Sequence, residues 1–204
     1  MGTREKIVEA AERVMRERGL ARSTTKEIAR AAGYSEGTLY KHFESKEDLF
    51  LAMLAERFPS FVALVEELPA RVGQSTVRET LEEVARNALA YYGEIVPMAA
   101  SIFAEPGLLA RHREGLRKRG AGPRMINEAL TAYLDAEERL VRVREDADPE
   151  AAAALFLGAC YQRAFFRSYL GEDVPAEGEE EGFVEGIVRT LMPSLSPTEE
   201  SEDV

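Results

Sequence analysis

The sequence predicts an all-α fold, with an N-terminal three-helix helix-turn-helix domain at residues 1–48, a larger C-terminal helical domain at 49–192 and a disordered tail at 193–204. Three observations predict it. Apolar residues recur at three- and four-residue spacing along the chain, and no run of alternating β-branched residues is long enough for a strand. Local chemistry marks the helix ends, with Ser, Thr or Asp before a periodic run and Gly or Pro after it. The chain has 204 residues and is 45% apolar, enough to bury the core of a small domain joined to a larger one.

The first helix runs from about Thr3 to Arg18, with Ile7, Ala11, Val14 and Met15 inward, and Gly19 ends it. Thr24 and Glu27 have the spacing of a capping box, so a short second helix begins there. Its Ile28, Ala29 and Ala32 share a buried face, and Gly33 allows a sharp stop. Ser35 caps a third helix whose Leu39 and Phe43 turn inward one helical turn apart. The other face keeps Glu36, Thr38, Tyr40, Lys41 and His42 for something outside. Two short helices and a tight turn make a helix-turn-helix, and its second helix is the one that lies in a DNA major groove.

Ser45 caps a longer helix through Phe50, Leu54 and Phe58, with Glu47 and Asp48 in the first turn where the helix dipole favours negative charge. Pro59 kinks or breaks it, and Pro69 with Gly73 closes the segment. A further helix covers roughly Val77 to Tyr92. After Pro97, an apolar stretch through Met98, Ile102 and Phe103 stops at Pro106-Gly107, and a shorter helix carries Leu108 to Arg119. Gly120 and Gly122-Pro123 punctuate, and Met125, Leu130, Tyr133 and Leu134 mark another amphipathic helix. Asp148-Pro149 starts a helix that is apolar on most of its circumference. Gly171 to Glu181 reads as an acidic loop, and a last helix spans about Gly182 to Met192.

Charge and composition narrow the function classes. The net charge is −11, yet residues 1–48 hold ten Lys/Arg against nine Asp/Glu, and the remainder sixteen against twenty-eight. An acidic body repels phosphate and orients a near-neutral head toward DNA. No apolar run approaches the ~20 residues of a membrane helix and no basic-then-apolar leader follows Met1, so a cytoplasmic protein without a membrane partner is expected. The single Cys160 and two histidines, His42 and His112, argue against a disulfide or a metal centre, and no cofactor is expected. Without a glycine-rich phosphate loop, metal-ligand spacing or nucleophile elbow, catalytic residues are not expected and the chain reads as no enzyme. The rivals to a DNA reader are a helical enzyme and an adaptor that binds another protein through the same fold.

The run G-Y-S-E-G-T-L-Y-K-H-F-E-S-K-E-D-L-F, preceded by STTKEIARAAG and the helix TREKIVEAAERVMRERG, resembles the DNA-binding signature of the TetR family of bacterial transcriptional regulators. The specific match covers about the first fifty residues. The resemblance implies a dimer whose two heads read a palindromic operator in successive major grooves, ~34–36 Å apart. Ser35 and Thr38 are placed to reach base edges or a nearby phosphate, and Lys41 a guanine edge or a phosphate. Tyr40 and His42 resemble the family's phosphate-facing pair, and Thr25 and Lys46 flank the motif where backbone contacts are expected. Glu36 either accepts from cytosine or discourages wrong sequences, and Gly37 lets the helix sit close to DNA.

A helix apolar nearly all round must be covered on more than one side. In the resembling family the last two helices pair with their two-fold mates, which here implies an interface of Phe156, Gly158, Ala159, Arg163, Phe166, Gly182, Gly186 and Arg189. Aromatic and sulfur-bearing residues suit an apolar effector pocket between helices: Phe61, Tyr91, Met98, Phe103, Met125, Tyr133, Phe156 and Tyr161. Arg113 and Arg117 belong to the one dense basic cluster of the body, Arg111 to Arg119, which reads either as a solvated helix face or as a site for an anionic group such as that of acyl-coenzyme A. The expected mechanism is repression relieved when a small apolar or amphipathic effector shifts the helix that starts at Ser45.

Overall fold

In the computed structural model, the described residues are 2–57, 59–104, 106–118, 122–171 and 178–197. Among them are ten α-helices and no strand: α1 (Thr3–Arg22), α2 (Thr25–Ala31), α3 (Glu36–Tyr40), α4 (Lys46–Arg57), α5 (Pro59–Arg71), α6 (Val77–Ala99), α7 (Pro106–Lys118), α8 (Pro123–Arg139), α9 (Pro149–Leu170) and α10 (Glu179–Leu191). Short 3-10 turns follow α6 at Ala100–Ala104 and α10 at Met192–Ser194. The expected positions Phe58, Arg119, Gly120 and most of the 171–181 loop lie outside the described residues.

The chain divides into two compact units, residues 1–59 with 93–122, and residues 60–92 with 123–204. In the first, α1 packs on α2 and α4, and α4 packs on α7. Ile7, Met15, Leu20, Ile28, Leu39, Leu49 and Phe50 form its fully buried centre. Gly19 does interrupt α1, at φ 74° and ψ 161°, but the chain then makes one more helical turn to Arg22. The carbonyls of that extra turn need donors from outside the helix.

In the second unit, α8 and α10 pack on α9. The Asp148 carboxylate accepts from the Ala151 N–H at 2.9 Å, with Pro149 at the first helical position, as its sequence predicts. Helix α9 sends Ala153, Phe156, Leu157, Cys160 and Ala164 inward. Its outward face carries Leu155, Gly158, Phe165, Phe166 and Tyr169. Phe156 is 2% exposed, so it belongs to the core and not to the expected dimer face.

Two prolines read as boundaries are instead carried inside helices, Pro69 in the last turn of α5 and Pro97 in the last turn of α6. The 72–76 connection is held from below by Glu137, fully buried, whose Oε1 accepts from the Gly73 N–H at 3.0 Å. The expected tail starts inside ordered structure: Leu195 is buried, and its carbonyl accepts from the Arg144 N–H at 2.9 Å. Residues 198–204 lie outside the described residues.

Candidate nucleic-acid interface

The head is assembled by caps. Thr24 Oγ1 accepts from the Glu27 N–H at 3.1 Å, and the Glu27 carboxylate accepts from the Thr24 N–H at 3.2 Å and from its hydroxyl at 2.9 Å. The Thr24 hydroxyl, and after it Arg18, holds the Glu27 carboxyl below the usual carboxylate range. At the other end of α2 the Tyr34 N–H donates to Ala29 O and the Gly33 N–H to Arg30 O, with Gly33 at φ 80°. This pair of bonds needs a left-handed residue between them, which Gly33 supplies without strain. The Ser35 hydroxyl then accepts from the Thr38 N–H at 3.1 Å and starts α3.

Helix α3 ends at Tyr40, one turn earlier than expected, so Leu39 is its buried residue and Phe43, buried as well, anchors the turn that follows it. Ser35, Gly37, Tyr40, Lys41 and His42 are exposed, and Thr38 is half-buried with its hydroxyl 2.9 Å from that of Ser35. A Cβ at Gly37 would meet only Ser35 Oγ, at 3.8 Å, so no internal contact demands a glycine there. What Gly37 keeps low is the outer surface.

Thr25, Glu36 and Tyr40 form a hydrogen-bonded group across α2 and α3. Thr25 Oγ1 donates to Glu36 Oε1 at 2.6 Å and lies 3.2 Å from the Tyr40 hydroxyl. An ionised carboxylate only accepts, so the one Thr25 proton goes to Glu36 and the Tyr40 O–H donates to Thr25. Glu36 is therefore a holder of Thr25 in the free chain, a role the spacing did not disclose. Tyr40, 51% exposed, is not packed in the core, and its ring stands on the surface with the hydroxyl oriented.

Lys46 departs from its expected place. Its Nζ donates to Leu20 O at 2.7 Å, Ala21 O at 3.2 Å and Ser23 O at 3.0 Å. An ammonium has three donors, and in the free chain it meets three carbonyls at the end of α1. Neighbouring Glu47 is also turned inward, 5% exposed, and accepts from Arg111 Nε at 3.0 Å. Arg111 thereby leaves the presumed anion cluster. Next to it His112 packs its ring 5.9 Å from Phe50, and burial, opposed by Glu47, lowers its pKa.

The effector candidates fall in both units. In the second, Phe61, Tyr91, Tyr92 and Tyr161 make a chain of rings with centroids 4.8, 5.5 and 5.5 Å apart, and burial pushes the Tyr91 hydroxyl up to about 12. Tyr133 and Phe156 are core residues there, and Met125 is exposed. In the first, Met98 is buried but Phe103 is 73% exposed and lines no interior wall. Arg113 is exposed and Arg117 pairs with Glu114 on its own helix. A cleft of about 750 Å³ in the first unit is lined by Arg16, Glu17, Arg18, Arg22 and Pro97, and is charged rather than apolar. Of the expected dimer residues, Gly158, Phe166, Gly182 and Arg189 are exposed, Ala159 and Gly186 half-buried. Arg163 is engaged within the chain, paired with Glu179 and stacked 4.6 Å from the centre of the Phe183 ring.

Comparison with known proteins adds two matches along the chain. Residues 7–53 match the profile described as bacterial regulatory proteins, tetR family, and residues 117–193 that of the AefR-like transcriptional repressor C-terminal domain. The fatty acid metabolism regulator protein of Bacillus subtilis is 36% identical over 61 residues, 30% of this chain and 31% of that protein. The first curated relatives are matched over only a quarter to a third of their own length. Among solved structures, a TetR-family regulator from Mesorhizobium loti superposes with a TM-score of 0.72 at 19% identity, covering 95% of this chain and 96% of that one. The regulator FadR from Bacillus subtilis, solved with stearoyl-CoA, gives 0.67 at 18% identity, covering 92% and 96%. At these identities the structures share the fold.

Proposed function

We propose, from the premise that this chain belongs to the tetR family of bacterial regulatory proteins, that it is an operator-reading repressor released by an amphipathic effector. The observation that carries the reading is the outward face of α3 and of the turn that follows it. Two core anchors, Leu39 and Phe43, fix the helix, and the residues left outside are hydroxyls, a lysine, an imidazole and a phenol. These are the groups that donate to base edges and phosphates. Ser35, Thr38, Tyr40, Lys41 and His42 make the contacts, Gly37 allows the approach, and Thr25 and Glu36 orient Tyr40. The head is residues 1–48, and it works in the cytoplasm by binding, not by catalysis.

One short helix offers few contacts, so two heads in a dimer read a palindrome. The acyl-coenzyme A reading of the effector is supported by the fatty-acid regulator among the relatives and by the ring chain Phe61, Tyr91, Tyr92 and Tyr161 inside the second unit. Selection from a random duplex library tests the proposal, with wild type beside the Tyr40→Ala/Lys41→Ala variant. One palindrome is expected, lost in the variant, and a long-chain acyl-coenzyme A should release the recovered complex. No enrichment by the ligand-stripped wild type would sink the operator reading, and a complex indifferent to acyl-coenzyme A would sink the effector class alone.

A further inference from the structure

We propose that Lys46 is a positioning residue of the DNA-reading surface, acting through the α1–α2 junction, and not a phosphate ligand; this rests on the operator-reading function proposed above. The junction begins at Gly19. Its left-handed φ of 74° breaks α1, and the single turn that follows ends at Ser23, in extended backbone. The carbonyls of such a terminal turn have no helical N–H to accept from, and they carry the negative end of the helix dipole. Ser23 satisfies part of the need, its hydroxyl lying 2.9 Å from Gly19 O and 3.0 Å from Leu20 O. The carbonyls of Leu20, Ala21 and Ser23 converge on the Lys46 ammonium at 2.7 to 3.2 Å. Three donors meet three acceptors around one positive charge, a fit that a planar guanidinium does not reproduce.

What this clamp fixes lies next in the chain. Thr24 caps α2 directly after Ser23, Arg18 reaches the same capping Glu27 at 2.7 Å, and Thr25 follows with its bonds to Glu36 and Tyr40. Lys46 and the Tyr40 hydroxyl are thus joined through polar contacts at the two ends and the consecutive residues Ser23, Thr24 and Thr25 between them, entirely inside the first unit. Removing the ammonium loosens where α2 begins, and with it the orientation of the phenol on α3. The charge itself never meets DNA.

Two measurements on the full-length chain decide the matter. In the first, the free protein is treated with an amine-modifying reagent and the modified peptides are weighed. Lys46 should react at least about tenfold more slowly than exposed Lys41, because its lone pair is reached only after the carbonyl contacts break. Equal rates would overturn the clamp, whatever the protein's function. In the second, the affinity of wild type and Lys46→Met for the selected duplex is followed against salt at a temperature where both are folded. A positioning role predicts binding weakened by about tenfold with the salt slope unchanged, since the Tyr40 contact it orients is uncharged and releases no counterion. A slope shallower by about 0.9 would make Lys46 a phosphate ligand and end the proposal. Lys46→Arg should restore charge but not specificity; full recovery by arginine also counts against the clamp. If Lys46→Met does not fold, the labelling rates and the arginine variant carry the decision. If the wild type itself shows no salt-dependent duplex binding, the operator reading fails, and the labelling still reports whether the clamp exists.

Discussion

Val141 sits where a glycine would be expected. It follows α8 at φ 60°, the one positive φ outside glycine among the described residues. Its N–H donates to Glu138 O at 2.8 Å and that of Arg142 to Glu137 O at 2.9 Å, the bond pair that closes a helix through a left-handed residue. A β-branched side chain in that region costs about 1–2 kcal/mol, and with Val141 77% exposed little packing offsets it. Val141→Gly should therefore stabilise the chain, by about 0.5–1 kcal/mol once glycine's extra freedom in the unfolded state is subtracted. A urea midpoint that stays put or falls would mean the valine has an unseen packing role. His112 gives the second residue-scale expectation. Burial, only partly opposed by Glu47, holds its folded pKa below 6.5, so between the two values the unfolded chain binds the extra proton. Stability is full above 6.5 and falls as pH drops below it toward the folded value. The carboxyls with lowered pKa, Glu27, Glu79 and Asp146, lose their contribution only at lower pH, as it falls from their ordinary range. Comparing urea midpoints at pH 7.5 and 5.5, the wild type should lose more than His112→Phe; parallel losses would take the histidine out of the account.

At the scale of elements, what the sequence disclosed is what short spacing encodes. The Thr24–Glu27 box, the Gly33 stop, the Ser35 cap and the Asp148-Pro149 start each involve residues within about one helical turn, and each is found where the spacing places it. Helix ends marked by proline were less legible, because a proline in a last turn forfeits one hydrogen bond and the helix can carry it, as at Pro69 and Pro97. Contacts between distant segments were not legible at all. Lys46 meets carbonyls 23 to 26 positions away, Glu47 meets Arg111 across 64, and no periodicity links such pairs. Glu137 is the sharpest case, for it stands among charged residues in the run AEER, with nothing local to mark it as buried, yet it is fully buried under the 72–76 connection. It accepts from Gly73 N–H and lies 3.3 Å from Arg142 Nε. Glu137→Ala would leave the Gly73 N–H without its acceptor and take the carboxylate from Arg142, which keeps the Ser75 carbonyl and some access to water. The expected loss is about 2–3 kcal/mol, larger than any cap in the molecule. An effect below about 1 kcal/mol in urea unfolding would show that water or a local shift replaces the carboxylate.

For the whole molecule, the outstanding question is what covers the outward face of α9. Leu155 at 71% exposed, Phe166 and Tyr169 share it with Gly158, at three- and eight-residue steps that keep them on one side of the helix. A second copy of the same face, with Gly182 of α10 beside it, is the cover that the proposed operator-reading dimer requires. The glycines allow folding and association to be separated. A Cβ at Gly158, Gly182 or Gly186 would meet nothing within 4 Å in the single chain. Gly158→Leu is then sterically free in the lone fold and replaces a poor helix former by a good one, a gain of about 1 kcal/mol per chain. Against a partner backbone lying close to that notch the same side chain is a clash. The variant should keep its helical circular dichroism while sedimenting as one chain where the wild type sediments as two, and it should bind a half-site no worse than before but lose the palindrome. Sedimentation unchanged by both Gly158→Leu and Leu155→Glu would place the two-fold contact elsewhere and leave this face to another partner. Helicity lost along with the dimer would mean that the two chains fold only together, which the open space around Gly158 argues against.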